Sequence, residues 1–477
     1  MNKQLINYLL DYFYFEYEVQ NVTLVGSIEE KNILEVSDID IVIIVNKLTK
    51  NLYHKIINHA KEINLNKLGI DLKPKINPTF GPLKFDDKDS LVLHLMIYDT
   101  ESHKQHVLSS PFTCYDWERS SNYVGLSLKE IFPVINLLPQ DFKYARRGFE
   151  DYMRDLENMT ISYREYSFSK DTPELVTRNF SINPQHVTEF CYHIIFNTMT
   201  NFIKLVEKSN SKYFNEKFLS KWSEISNLNF KKYNDFFQSL EYKKKHNVGS
   251  KKSDILETRN FLEDFYHRVL SSHFSNQGLF IRHCETEFND GRFFGRKLDS
   301  NIDSVDLKKI AQVKYKKENI NKYITSPLKR CVDSMEKLNL INFETSNNLL
   351  EMDYGEAEGL FFEEFKIKYP KIVNQWKDGK DEPFPGGENY AMVYERLSKY
   401  LNFLKNHNCF LMTHQGVVRS FIGYNLNIDI SKWYLLNIPH LEPIGYVNLN
   451  EEFYLDINRK LLYKIFKDYI KELHCNT

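Results

Sequence analysis

The chain has 477 residues with 63 Lys plus Arg against 64 Asp plus Glu, a net charge of −1. At roughly 100–200 residues per domain the length exceeds one core, and the charge balance excludes a dedicated nucleic-acid or anionic-membrane binder, which needs surplus cations to displace counterions. A content of 42% hydrophobic and 14% aromatic residues excludes global disorder.

In chain order, the first segment, MNKQLINYLLDYFYFEYEV, is apolar at helical spacing (Leu5, Leu9, Tyr12, Phe13) and is broken by Asp11 and Glu16. It predicts an amphipathic helix and not a signal peptide. From about residue 20 to 100, strand-like runs (NVTLVGS, SDIDIVIIV, LGIDLKPKI, SLVLHLMIYD) surround one helix near Leu52 to Ile63, which predicts a small α/β domain over residues 1–115. Residues 116–275 read as an all-helical middle region: Val187, Phe190, Cys191, Ile194, Ile195, Met199, Phe202, Ile203 and Val206 form one stripe, and Phe261, Leu262, Phe265 and Val269 a second. EYKKKHNVGSKK between them reads as a solvated loop. The polar stretch Ser271 to Gly278 predicts a linker, and short strands alternating with helices then fill residues 276–477, a three-layer α/β domain. The longest apolar run, Ile41 to Val45, is far below the roughly 18 residues of a membrane helix, so no membrane is expected. The six cysteines show no CxxC pair, which predicts neither a zinc knuckle nor a disulfide framework and points to the cytoplasm.

Two constellations carry chemistry. In VTLVGSIEEKNILEVSDIDIVIIV, Gly26-Ser27 closes an apolar strand, and Asp38 and Asp40 open the next, on one strand face by period two. Paired carboxylates on a rigid strand suit magnesium, and a Gly-Ser turn lets backbone N–H groups approach phosphate. The segment resembles the nucleotidyltransferase superfamily that includes DNA polymerase beta, especially its small aminoglycoside-modifying members. That resemblance implies that Gly26 and Ser27 hold the triphosphate of a nucleoside triphosphate and that Asp38 and Asp40 hold Mg2+. It also implies a third carboxylate on a following strand. Asp71 is the best match, taken to share its strand face with phosphate-binding Lys73 and with Lys75, while the later strand offers His94 and Asp99.

The second constellation runs through GLFIRHCETEFNDGRFFG, ITSPLKRCVDSMEKL, LLEMDYGEAEG, FPGGENY and CFLMTHQGVVRS. Singly these are dull; SPLKR, for instance, reads as a helix start capped by Ser326. In this order they resemble the histidine phosphatase superfamily, the phosphoglycerate mutase-like clan. The resemblance implies that His283 is the phosphorylated nucleophile, that Arg282 and Arg330 clamp phosphate oxygens, that His414 completes the oxyanion pocket and that Glu351 is the general acid; Glu358 matches a structural position. Cys284 stands where the family usually has Gly. This half needs no cofactor. The expectation is a bifunctional enzyme in which metal-dependent nucleotidyl transfer to a small molecule accompanies hydrolysis of a phosphorylated small molecule. The alternatives are a phosphatase or mutase with a degenerate nucleotide-binding module, and nucleotidyl transfer to a protein.

Overall fold

The structure is a computed structural model, describing residues 2–26, 38–81, 90–144, 149–207, 222, 224, 231–269, 277–287, 290–302, 320–340, 342–449 and 452–475. Ser27 and most of the expected linker lie outside the described residues. The chain divides into two compact units, Met1–Leu137 with Asp141–Val269, and Leu138–Gln140 with Leu270–Asn476. No helix of the described residues is long and apolar enough to cross a membrane.

The first unit is built on a five-stranded mixed sheet of β1 (Val19–Val25), β2 (Asp38–Val45), β3 (Lys73–Asn77), β4 (Ser90–Asp99) and β5 (Tyr123–Gly125), in the order β3-β4-β2-β1-β5. β2 runs parallel to β4 and antiparallel to β1. Alternation sends Ile39, Ile41 and Ile43 into a core with Leu5, Leu9 and Phe13 of the first helix and Leu52 and Ile56 of the second. Asp38 and Asp40 therefore fall on the opposite face. The middle region carries the expected long helix, Pro184–Glu207, whose buried stripe includes Val187, Phe190, Ile194 and Phe202. Between its helices it also holds a hairpin that the helical periodicity did not disclose, β6 (Thr160–Ser169) and β7 (Thr172–Ser181). Phe80 and Arg164 exchange backbone hydrogen bonds of 2.7 and 2.8 Å, and Tyr166 packs edge-on and Phe168 at a tilt against Tyr53 of the second helix, so the hairpin is tied to the first domain.

The second unit holds a six-stranded sheet of β8 (Gln277–Arg282), β9 (Lys322–Thr325), β10 (Glu344–Thr345), β11 (Cys409–Thr413), β12 (Ile444–Leu449) and β13 (Glu452–Leu455), in the order β10-β9-β11-β8-β12-β13. The four strands β10, β9, β11 and β8 are parallel, and β12 and β13 are antiparallel. Successive β8 residues face opposite sides: Ile281 packs with Cys331 and Met335 of the helix Lys329–Lys337, and Phe280 with Phe421 of the helix Gln415–Asn425. The result is three layers, helix, sheet, helix.

Candidate functional site

Three parallel strands of the second sheet end at one level, with Thr413 opposite Arg282 and Met412 opposite Thr325. The residues that follow, His283, His414 and Ser326, meet outside the carboxyl ends of the strands, where open α/β sheets place their ligands. The His283 N–H donates to Thr413 O at 3.1 Å, and the His283 and His414 rings are 5.1 Å apart.

His283 is buried, and its Nδ1 is 2.6 Å from Cys284 O. A carbonyl only accepts, so Nδ1 carries the hydrogen and Nε2 keeps its lone pair. Burial, reinforced by the charges of Arg330, Arg282 and His440, holds its pKa well below the usual imidazole value. The ring is neutral at neutral pH, as a nitrogen nucleophile requires. His414 is likewise buried and held neutral, by burial first and then by Arg330. Its Nδ1 accepts from Arg330 Nε at 3.3 Å, which directs its Nε2 hydrogen to Ser326 Oγ at 2.8 Å. Ser326 is thus a strand-end partner of His414 and not the expected helix cap; that helix begins at Lys329 with Leu328 at its N-cap.

Arg330 is fully buried, with its guanidinium 4.3 Å from the Phe294 ring centre and hydrogen-bonded to Gly295 O at 2.8 Å and Asp299 at 3.2 Å. Arg282 donates to Ile438 O at 2.7 Å, while its buried Nε has no hydrogen-bond partner among the described residues. Burial and then the nearby Arg419 pull its pKa down to about 10, so it stays charged at neutral pH. Glu351 accepts backbone hydrogen bonds from Met352 at 2.8 Å and Gly416 at 3.0 Å. The strand-end crevice therefore gathers all five expected residues. Glu358 instead accepts from the backbone N–H groups of Lys297 and Leu298, a structural task.

Other residues join this site, and two of them, Arg419 and Glu388, lie in segments of the second constellation that gave them no individual role. His440, a lone histidine between prolines, donates from Nδ1 to His283 O at 2.6 Å. Arg419 stands one helical turn into the helix begun by Gln415, donates to Leu436 O at 2.7 Å and shares its field with Arg282, Tyr354 and Tyr390. Glu388 of the FPGGENY segment binds Arg296 and Arg396, both of which donate to the Glu351 carbonyl and fix the backbone of the acid.

In the first unit, a cavity of about 530 Å³ opens onto Gly26, Asp38 and Asp40 and is walled further in by Tyr98, Arg164 and Glu189. Asp71 is not part of it. The expected strand position is corrected by the fold: Gly69, left-handed at φ 71°, closes a short helical turn, residues 70–72 form a loop, and β3 begins only at Lys73, leaving Asp71 exposed. Lys73 is exposed at the start of β3, four residues before Asn77, which pairs with His94. Asp99, the other carboxylate considered, caps the helix Thr100–Ser109 by accepting from the Ser102 N–H at 2.8 Å. The residue opposite Asp40 is His94, with Nδ1 2.7 Å from Asp40 Oδ1 and Nε2 2.7 Å from Thr79 O. No group of three His, Cys, Asp or Glu able to hold a metal ion occurs among the described residues. The residues present do not fit a three-carboxylate, two-ion set.

Comparison with known proteins agrees with both folds. The histidine phosphatase superfamily (branch 1) matches residues 279–450, and the nucleotidyltransferase domain family matches residues 3–94. The chain joins a nucleotidyltransferase domain to a histidine phosphatase domain. It is similar to phosphoserine phosphatase 1 of Hydrogenobacter thermophilus, 28% identical over 167 residues, which covers 33% of this chain and 79% of that protein. A probable fructose-2,6-bisphosphatase of Schizosaccharomyces pombe is 24% identical over 362 residues, 69% of this chain and 82% of that protein. Among solved structures, a mycobacterial glucosyl-3-phosphoglycerate phosphatase aligns over 38% of this chain and 98% of that chain, at 18% identity and a TM-score of 0.33. The chain is an enzyme, and the histidine phosphatase domain holds the crevice described above.

Proposed function

We propose that the histidine phosphatase domain hydrolyses a phosphorylated small molecule through a phosphohistidine on His283. The observation that carries this reading is the neutral His283 with its lone pair on Nε2, flanked by Arg282, whose buried Nε has no partner among the described residues. Nε2 attacks phosphorus, the P–O bond to the leaving group breaks, and Glu351 gives that alkoxide its proton. Water, losing its proton to Glu351, then attacks the phosphohistidine, the P–N bond breaks, and phosphate leaves. Arg282, Arg330 and the neutral donor His414 stabilise charge on the equatorial oxygens. Rapid quench with labelled substrate tests this: the wild type is expected to trap an acid-labile, base-stable phosphoenzyme. His283→Ala is expected to trap none and to lose at least about 10³-fold in turnover. A phosphoenzyme persisting in His283→Ala overturns the assignment.

A second reading concerns the nucleotidyltransferase domain, and the cavity of about 530 Å³ at Asp38 and Asp40 favours it. We propose that this cavity receives a nucleoside triphosphate together with a small-molecule acceptor. Binding of a fluorescent nucleotide with and without magnesium tests it, and no binding under either condition excludes it. We place the enzyme in the cytoplasm on the ground that Cys114, Cys191, Cys284, Cys331 and Cys409 are buried thiols.

A further inference from the structure

The ring of His414 has a hydrogen-bond partner at each nitrogen, and the two partners fix its tautomer by geometry alone. Arg330 Nε, 3.3 Å from Nδ1, belongs to a guanidinium and can only donate, so Nδ1 carries no hydrogen and the ring's one hydrogen sits on Nε2. That hydrogen goes to Ser326 Oγ at 2.8 Å. Cys331 Sγ, 3.4 Å from the same Nε2, is the weaker acceptor, and its own thiol hydrogen is turned toward Thr413 O at 3.7 Å. The backbone holds Ser326 in register with the ring: its N–H donates to Met412 O at 3.0 Å, two residues before His414. Arg330, Ser326, Cys331, Thr413 and His414 are all fully buried, so no bulk water stands in for a lost partner. A neutral imidazole has one N–H. The hydrogen that His414 can give a phosphoryl oxygen is therefore the one that Ser326 already holds.

Resting on the phosphohistidine reading of this crevice, we propose that Ser326 is a positioning residue for phosphoryl transfer: its hydroxyl keeps the His414 ring oriented with Nε2–H in reserve, and that hydrogen turns from Ser326 Oγ to a phosphoryl oxygen as the group is transferred. The ring stays neutral and Nε2 keeps its hydrogen, so acceptors are exchanged and no proton moves between heavy atoms. An acceptor placed here does two things. It spares the empty crevice a buried N–H without a partner, and it stops the ring from turning about its side-chain bonds to a position out of reach of the phosphoryl oxygen. Ser326 touches no substrate atom in this role; it acts through His414.

Nitrogen-15 NMR of the full-length chain with labelled histidine, together with kinetics on p-nitrophenyl phosphate, tests this. The His414 signals are those absent from His414→Asn. The wild type is expected to show hydrogen on Nε2 and none on Nδ1, with an Nε2–H resonance that shifts when orthovanadate is added; the opposite tautomer overturns the proposal. Ser326→Ala and Ser326→Val are expected to lose about 10–100-fold in kcat, with KM within about threefold of wild type. Orthovanadate inhibition is expected to weaken as kcat falls. Ser326→Thr, which has the shape of Val and keeps the hydroxyl, is expected to recover most of the loss. A merely structural hydroxyl would lower the melting temperature and leave kcat of the folded enzyme unchanged. That outcome, or equal kcat in Ser326→Thr and Ser326→Val, overturns the proposal. If no variant folds, the wild-type spectra decide. Should the wild type trap no phosphoenzyme in rapid quench, the phosphatase reading falls instead, and the His414 tautomer still decides whether Ser326 holds the ring.

Discussion

Glu351 separates chemistry from scaffolding at the scale of one residue. An alkyl leaving group needs a proton as the P–O bond breaks and an aryl one hardly does, so Glu351→Gln is expected to slow alkyl phosphates by about 10²–10⁴-fold and aryl phosphates far less. Equal losses in steady-state kinetics would make it a structural carboxylate. A different residue contributes to acid sensitivity. His103 is buried, neither ring nitrogen has a hydrogen-bond partner among the described residues, and burial lowers its pKa to about 4. Between the unfolded value near 6.5 and 4 the unfolded chain binds the extra proton, so stability rises with pH across that window and is lost as pH falls. Going from pH 7 to pH 5 should cost about 2 kcal/mol through this group. Urea denaturation is expected to show that loss in the wild type and a smaller one in His103→Phe. The five crevice residues were legible only through the resemblance to the histidine phosphatase superfamily, four of them in Arg-His, Ser-Pro-Leu-Lys-Arg and Thr-His segments that each sit where an apolar strand stops. The resemblance did not disclose His440 or Arg419, single polar residues whose roles arise from chain returning to the crevice.

At the level of elements, the helix Gln415–Asn425 couples its own start to the acid. A Cβ on Gly416 would lie 2.5 Å from Glu351 Oε1, on the face where the Gly416 N–H donates to that carboxylate. Gly416→Ala is a good helix substitution in isolation. Here it is expected to displace Glu351 and lower kcat for alkyl phosphates by about 10–100-fold, sparing aryl phosphates, with little change in melting temperature. An unchanged ratio of alkyl to aryl turnover would show that the carboxylate tolerates the added methyl. Strand ends and helix starts are also where periodicity misleads. The run LGIDLKPKI alternates well enough to predict a strand through Asp71, yet a left-handed Gly69 spends residues 70–72 on a loop. The hairpin of β6 and β7 escaped notice for a related reason. Its residues, rich in Tyr, Ser, Glu and Arg, are mostly half-exposed or exposed on both faces, so no apolar alternation marks them.

The whole molecule divides into two units with separate sheets, the first combining the nucleotidyltransferase domain with the mostly helical middle region. That division was only partly legible, because the boundary between sheet domain and middle region is erased by side chains such as Tyr166 and Phe168, which close over Tyr53. Another property belongs to the chain as a whole. Cys331 lies in the strand-end crevice with Sγ 3.4 Å from His414 Nε2, and burial raises its thiol pKa well above normal; burial likewise pushes Cys191 up to about 12 and Cys409 to about 11. Alkylating reagents attack the thiolate. Iodoacetamide at neutral pH is therefore expected to leave these three cysteines unmodified and phosphatase turnover intact, as mass spectrometry and assay would show, and to modify all of them once the chain unfolds. Carbamidomethylation of Cys331 in the folded chain would then report each opening of the crevice, making a silent thiol the clock of its breathing.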